Sequence, residues 1–173
     1  AGRQGDPGST QFFLSLEVPP PNLYRFEFKL ASPAPGQVRV YFEVNRGPYG
    51  AGEGSFIGET LARLGAKNIL PASLGPFPKL NPEYIVRANP DVIMIGERNA
   101  EGLLQRPGWQ GIRAVREGRI CIFPVAESDV LVRPGPRMAD GARLMVRCLA
   151  EKAPGAARPD PSPVKPSPKA AGG

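Results

Sequence analysis

Asp129, Arg133 and Arg137 stand within one short segment, Ser128-Asp129-Val130-Leu131-Val132-Arg133-Pro134-Gly135-Pro136-Arg137, and are the side chains of this protein best suited to recognition chemistry. A carboxylate accepts protons from amides and hydroxyls, and a guanidinium donates a fork of hydrogen bonds to carbonyls or negative groups. Proline disfavours the α region for the residue before it, so Arg133 is expected to be extended, and Pro136 at a first helical position is expected to start a helix. The segment thus reads as a proline-stiffened loop at the mouth of a helix. Arginine there meets the positive pole of the helix dipole. Arg133 and Arg137 therefore call either for an anionic or carbonyl-rich group from outside, or for internal neutralisation by Glu127, Asp129 or Asp140.

Bond-breaking chemistry finds little to work with. The sequence contains no histidine, which removes the commonest general base, the commonest zinc ligand and the Ser-His and Cys-His nucleophile pairs. Acids and lysines are present, but no pair has a spacing that predicts proton transfer, so neither an enzyme nor a metal-ion or cofactor site is expected. Cys121 lies in an apolar run and Cys148 on a predicted helix face, without metal-ligand spacing. Both read first as small buried hydrophobes, with a disulfide between them as the alternative. The stretch Gly50-Ala51-Gly52-Glu53-Gly54-Ser55 sits where phosphate loops sit, but it lacks a terminal Gly-Lys-Ser/Thr and Glu53 would repel a phosphate. Its glycines are better read as allowing tight turns or a close approach to a ligand.

The elements that must carry these residues follow from pattern. A length of 173 residues with 41% apolar content fits one domain plus tails. The net charge of +6 comes from Lys and Arg scattered among acids, not grouped in a stripe with aromatic residues, which argues against nucleic acid as a partner. No stretch has the length and apolarity of a membrane span, and no signal peptide is visible. With alanine at residue 1, the chain is expected to be a mature form or a fragment.

Residues 153–173 are Pro, Ala, Gly, Ser and Lys with almost nothing bulky and apolar, so a disordered tail is expected. Residues 1–37 read as an irregular segment with two possible strands, Phe12–Val18 and Tyr24–Leu30, ahead of a Pro-rich linker. From residue 38 to about 152, strands alternate with helices. Strands are expected at Val38–Val44, Asn68–Leu70, Asp91–Ile95 and Arg119–Phe123. A helix capped by Ser55 runs to Leu64, and one capped by Asn81 and opened by Pro82 stops at Asn89-Pro90. Short helices cover Ala100–Gln105 and Trp109–Arg116, and a terminal one covers Pro136–Glu151. Trp109 reads as core packing. This alternation predicts an α/β fold: a three-layer lobe on a mostly parallel sheet, with flexible N- and C-terminal segments.

Several short motifs now occur in a telling order: Pro48-Tyr49, the Gly52–Phe56 turn, Leu64-Gly65-Ala66-Lys67-Asn68-Ile69, Asn81-Pro82-Glu83 and Ala88-Asn89-Pro90-Asp91-Val92-Ile93. Pro107-Gly108-Trp109, Ala114-Val115-Arg116-Glu117-Gly118-Arg119 and Arg133-Pro134-Gly135-Pro136-Arg137 follow. Together they resemble the C-terminal lobe of the periplasmic substrate-binding proteins that serve ABC importers of cobalamin and ferric siderophores. The resemblance implies a non-enzymatic, periplasmic substrate-binding component, with a chelated metal ligand (a corrinoid or ferric siderophore) and the importer's membrane subunits as partners. It further implies that Tyr49, Phe77, Asp129 and Arg133 line the ligand cleft and that Glu83 docks on the transporter.

In that family two lobes joined by a long helix clasp the ligand. Residues 1–37 hold five prolines between Pro19 and Pro35 and no helical period, so they are not expected to supply that helix, and half a cleft is expected to bind weakly. The competing expectation is a protein-interaction module derived from such a lobe, using Glu83, the Arg25–Lys29 strand edge or the Lys-Pro tail.

Overall fold

The computed structural model describes residues 11–15, 25–29 and 37–154. The expected disordered tail, the Pro-rich linker and the outer ends of the first two strands lie outside the described residues. Two strands, β1 (Gln11–Ser15) and β2 (Arg25–Lys29), pair antiparallel as a separate ladder.

The rest is an α/β unit. Its strands are β3 (Arg39–Asn45), β4 (Tyr49–Gly50), β5 (Lys67–Asn68), β6 (Val92–Gly96) and β7 (Ile120–Phe123). They form a sheet of order β4-β3-β6-β7, with β5 on the first residues of β3 and β4 on the last. Every pairing is parallel except the short return of β4, because helices intervene between the other strands. The helices are α1 (Phe56–Arg63), α2 (Pro82–Ala88), α3 (Glu97–Ala100), α4 (Arg113–Arg116), α5 (Val125–Val132) and α6 (Met138–Lys152).

Successive strand residues point to opposite faces, and both faces are covered. Val40, Phe42, Val92, Met94, Cys121 and Phe123 pack with residues of α1 and α6, including Ile57, Leu61, Met145 and Leu149. Tyr41, Ile93 and Ile95 pack with Ile85, Trp109, Ile112 and Ala114 on the other side. The result is the expected three layers, with β6 buried along its whole length. Each fully buried Ile or Met there contributes roughly 1.5–3 kcal/mol.

Local signals act as their chemistry dictates. Ser55 Oγ accepts from Gly58 N at 3.0 Å and donates to Gly52 O at 2.7 Å, fixing the start of α1. Asn81 Oδ1 accepts from Glu83 N at 3.0 Å ahead of Pro82, and α2 ends where Asn89 turns left-handed at φ 48°. Gly52 brings its backbone against another backbone: a Cβ there would lie 2.5 Å from Gly75 O, and its N–H reaches Pro76 O at 2.8 Å.

Four expectations need correction. Cys121 and Cys148 are not free hydrophobes but a disulfide joining β7 to α6. Both are buried in the same core, so the packing that hides them also brings them together. Residues 125–132 form α5 and not a loop: Ser128 N donates to Pro124 O at 2.8 Å, opening a helical turn that Leu131 anchors in the core. That helix is rich in β-branched residues and has no apolar face of helical period, so neither propensity nor pattern announces it. The terminal helix begins at Met138, after a turn closed by Met138 N and Gly135 O, and not at Pro136. The two short helices break up: the first becomes α3 and a 3-10 turn at Leu103–Gln105, the second a 3-10 turn at Trp109–Gly111 and α4, with Gly102 and Gly108 left-handed before each 3-10 turn.

Candidate functional site

The parallel strands β3, β6 and β7 end at one edge of the sheet, where the chain leaves them for loops and helices. Ligands of open α/β sheets bind outside this carboxyl edge. Gly96, the last residue of β6, leaves room for α5, since a Cβ there would fall on Ser128 Oγ. Seated this way, α5 carries Asp129, and its C-cap residue Arg133 has φ −110° and ψ 116°, the extended conformation expected before Pro134.

Asp129 and Arg133 face a surface concavity of about 480 Å3, together with Ala126, Val130 and the turn from Pro134 to Arg137. Neither side chain makes a hydrogen bond or ion pair with another among the described residues. The internal acids are engaged elsewhere. Asp140 takes Arg137 at 3.4 Å and Arg143 at 2.8 Å, and Glu127 takes Arg147 at 2.6 Å. The hydrogen bond that Arg147 donates to Glu127 holds its guanidinium above the ordinary pKa, against a smaller opposing effect of burial. Internal neutralisation therefore accounts for Arg137 and leaves Arg133 open to solvent.

The aromatic candidates lie on a second segment. Tyr49 pairs with Lys79 across an antiparallel bridge, and Gly50 N donates to Pro78 O at 3.1 Å, so the Gly75–Lys79 stretch runs beside β4. Tyr49 and Phe77 are 36% and 42% exposed, large for aromatic rings and in keeping with a contact surface. Phe77 meets Phe56 edge to face at 6.0 Å, and Phe56 in turn lines a narrow cleft with Val130 and Arg133. Through Phe56 the structure brings Phe77 to the same side of the lobe as Asp129 and Arg133. Tyr49 joins them only through the strand beside Phe77. Glu83 stands apart on the first turn of α2, exposed, with Arg87 at 3.3 Å one turn on.

Sequence reading passed over the most heavily buried polar group. Glu43, fully buried in β3, accepts two hydrogen bonds from Arg106 at 2.6 and 2.8 Å and one from Tyr41 Oη at 3.2 Å. The Arg106 guanidinium also lies 4.5 Å from the centre of the Trp109 ring. Trp109 is fully buried, as core packing requires. Burial first, then the Glu43 charge, drive the Tyr41 pKa far upward, and the Glu43 hydrogen bond raises that of Arg106. An acid inside the strand Arg-Val-Tyr-Phe-Glu-Val-Asn was the available signal, but its partner lies 63 residues away.

Among the described residues no cluster of His, Cys, Asp or Glu has the makings of a metal site. The lobe thus presents, among the described residues, an acid and a base without side-chain partners on one concavity, and two exposed rings on a separate segment.

The fold has counterparts among known proteins. A solved structure of a possible iron-binding (periplasmic solute-binding) protein from Staphylococcus epidermidis is 28% identical, with a TM-score of 0.57, covering 65% of this chain and 45% of that one. The apo periplasmic heme-binding protein RhuT from Roseiflexus is 26% identical, with a TM-score of 0.54, covering 66% and 46%. Molybdate-binding protein MolA of Haemophilus influenzae is 27% identical over 92 residues, which is 51% of this chain and 26% of that protein. The chain thus spans less than half the length of these relatives. The sequence signature of the family described as periplasmic binding protein matches residues 30–125, more than half of the chain, and on that match, with the fold that accompanies it, the protein belongs to the periplasmic binding protein family.

Proposed function

We propose that this lobe is the C-terminal, ligand-binding half of the substrate-binding component of an ABC importer, and that its cargo is a chelated metal such as cobalamin or a ferric siderophore. One observation carries the reading: Asp129 and Arg133 share a concavity of about 480 Å3 with no side-chain partner of their own among the described residues. A buried-ligand site needs a few polar groups that fix orientation, and these two stand ready to accept from amides or hydroxyls and to donate to carboxylates or carbonyls. Phe77, linked to Arg133 through Phe56, and Tyr49 on the neighbouring strand are the exposed rings that could add apolar surface. The lobe acts by binding and catalyses no reaction. Family membership and the periplasmic relatives support a periplasmic location, and the Cys121–Cys148 disulfide suits an oxidising compartment.

Glu83 is the proposed contact to the importer's membrane subunits. It is exposed, and its pairing with Arg87 on the same helix is of a kind worth only a few tenths of a kcal/mol, so an arginine of a partner displaces it at little cost. Titration of the purified chain with cyanocobalamin, a ferric siderophore panel and haem, carried to millimolar ligand, tests the cargo. Saturable binding that Arg133→Ala weakens supports the proposal. No binding at any concentration rejects it in favour of a protein-interaction module.

A further inference from the structure

We propose that the Cys121–Cys148 disulfide is a conformational clamp on the candidate site, holding α5 and the turn after it against a core that stays folded without it. The two cysteines are 27 residues apart, and every residue lining the concavity lies between them. They join β7, which precedes the site in the chain, to the C-terminal half of α6, which follows it.

Inside this loop α6 packs Ala142, Met145 and Val146 into the core, but local interactions in α5 and the turn after it are few. Helix α5 buries Leu131 alone, and the residues preceding α5 and α6, Pro124 and Arg137, provide no side-chain cap. The turn between the helices contains Pro134 and Pro136, which lack an N–H to donate. Glu127 and Arg147 tie α5 to α6, but both are partly exposed to water. The sheet differs in kind: β3 and β6 are hydrogen-bonded along four paired residues and buried on both faces. Segments with little burial open first, and a cross-link at the base of such a segment limits how far it can open.

Hydrogen exchange read by mass spectrometry tests the clamp without any ligand, on the oxidised protein and on Cys121→Val/Cys148→Ala, which keeps the core filled. The expected result is exchange faster by about tenfold or more from Val125 to Arg137, with Val40–Glu43 and Ile93–Ile95 unchanged. Unchanged protection throughout overturns the proposal. So does loss of protection across the sheet, or outright unfolding, in this variant and in Cys121→Ala/Cys148→Ala. The inference relies on the binding proposal only in calling the segment a site, so a failed ligand titration leaves the exchange result standing, and the converse holds.

Discussion

Arg106 and Glu43 form a two-pronged ion pair, at 2.6 and 2.8 Å, between a fully buried strand carboxylate and a guanidinium that is mostly shielded from water. The pair fastens the irregular segment after α3 to the centre of the sheet, and Arg106 also donates to Asn99 O at 3.3 Å. Removing either partner leaves a charge in a low-dielectric site, which is worth more than the pair's own attraction.

Arg106→Ala is accordingly expected to cost about 3–5 kcal/mol, because it strands the Glu43 carboxylate. Arg106→Ala combined with Glu43→Leu is expected to recover most of the loss, since no buried charge then remains. Urea denaturation of the single and double variants measures both.

Tyr41 makes stability fall at high pH. Its phenol is held protonated in the folded state, first by burial and then by the Glu43 charge, while in the unfolded chain it ionises near the ordinary value of about 10. The folded state therefore keeps a proton that the unfolded state loses, and the contribution present below about pH 10 declines as pH rises above it. Denaturation midpoints at pH 8 and above pH 10 are expected to differ more for the wild type than for Tyr41→Phe.

Because Asp129 and Arg133 have no side-chain partners among the described residues, their removal separates binding from stability. Asp129→Ala and Arg133→Ala are each expected to change stability by no more than about 0.5 kcal/mol. If Arg133 meets an anionic group of the ligand, its loss weakens affinity by about tenfold or more, the worth of a charge-assisted hydrogen bond. Thermal melts and titration calorimetry on the same samples read the two effects.

Gly96 is where α5 sits down on β6. A methyl group there would fall on Ser128 Oγ, so Gly96→Ala is expected to cost about 1–3 kcal/mol by overpacking. Adding Ser128→Ala is expected to restore part of that, since it removes the nearer atom and leaves the Ser128 Cβ at 3.2 Å. A double-mutant cycle in urea gives the coupling, and independent effects would show that α5 is seated by other contacts.

Much of this architecture was legible in the residues. Asn81-Pro82 and Ser55 start helices wherever they stand, because a side-chain oxygen satisfies an orphan N–H and proline presets φ. The apolar run ending at Ile95 read as a strand, and the ordered motifs from Pro48 to Arg137 pointed to the family. Extended Arg133 followed from Pro134 alone.

Tertiary structure decided the rest. Helix α5 exists because Leu131 finds the core and Gly96 makes room, neither of which leaves a periodic trace in Val125–Val132. Whether Arg137 or Arg133 would be neutralised depended on which acid faced which base: Asp140 meets Arg137 and Arg143, Glu127 meets Arg147, and neither reaches Arg133. The Cys121–Cys148 bond, the Glu43–Arg106 pair and the passage from Phe77 through Phe56 to Arg133 all join positions far apart in the chain. Local chemistry acts over a few residues and so can be read from sequence; side chains that meet across the sheet are brought together only when the two hydrophobic cores close on it.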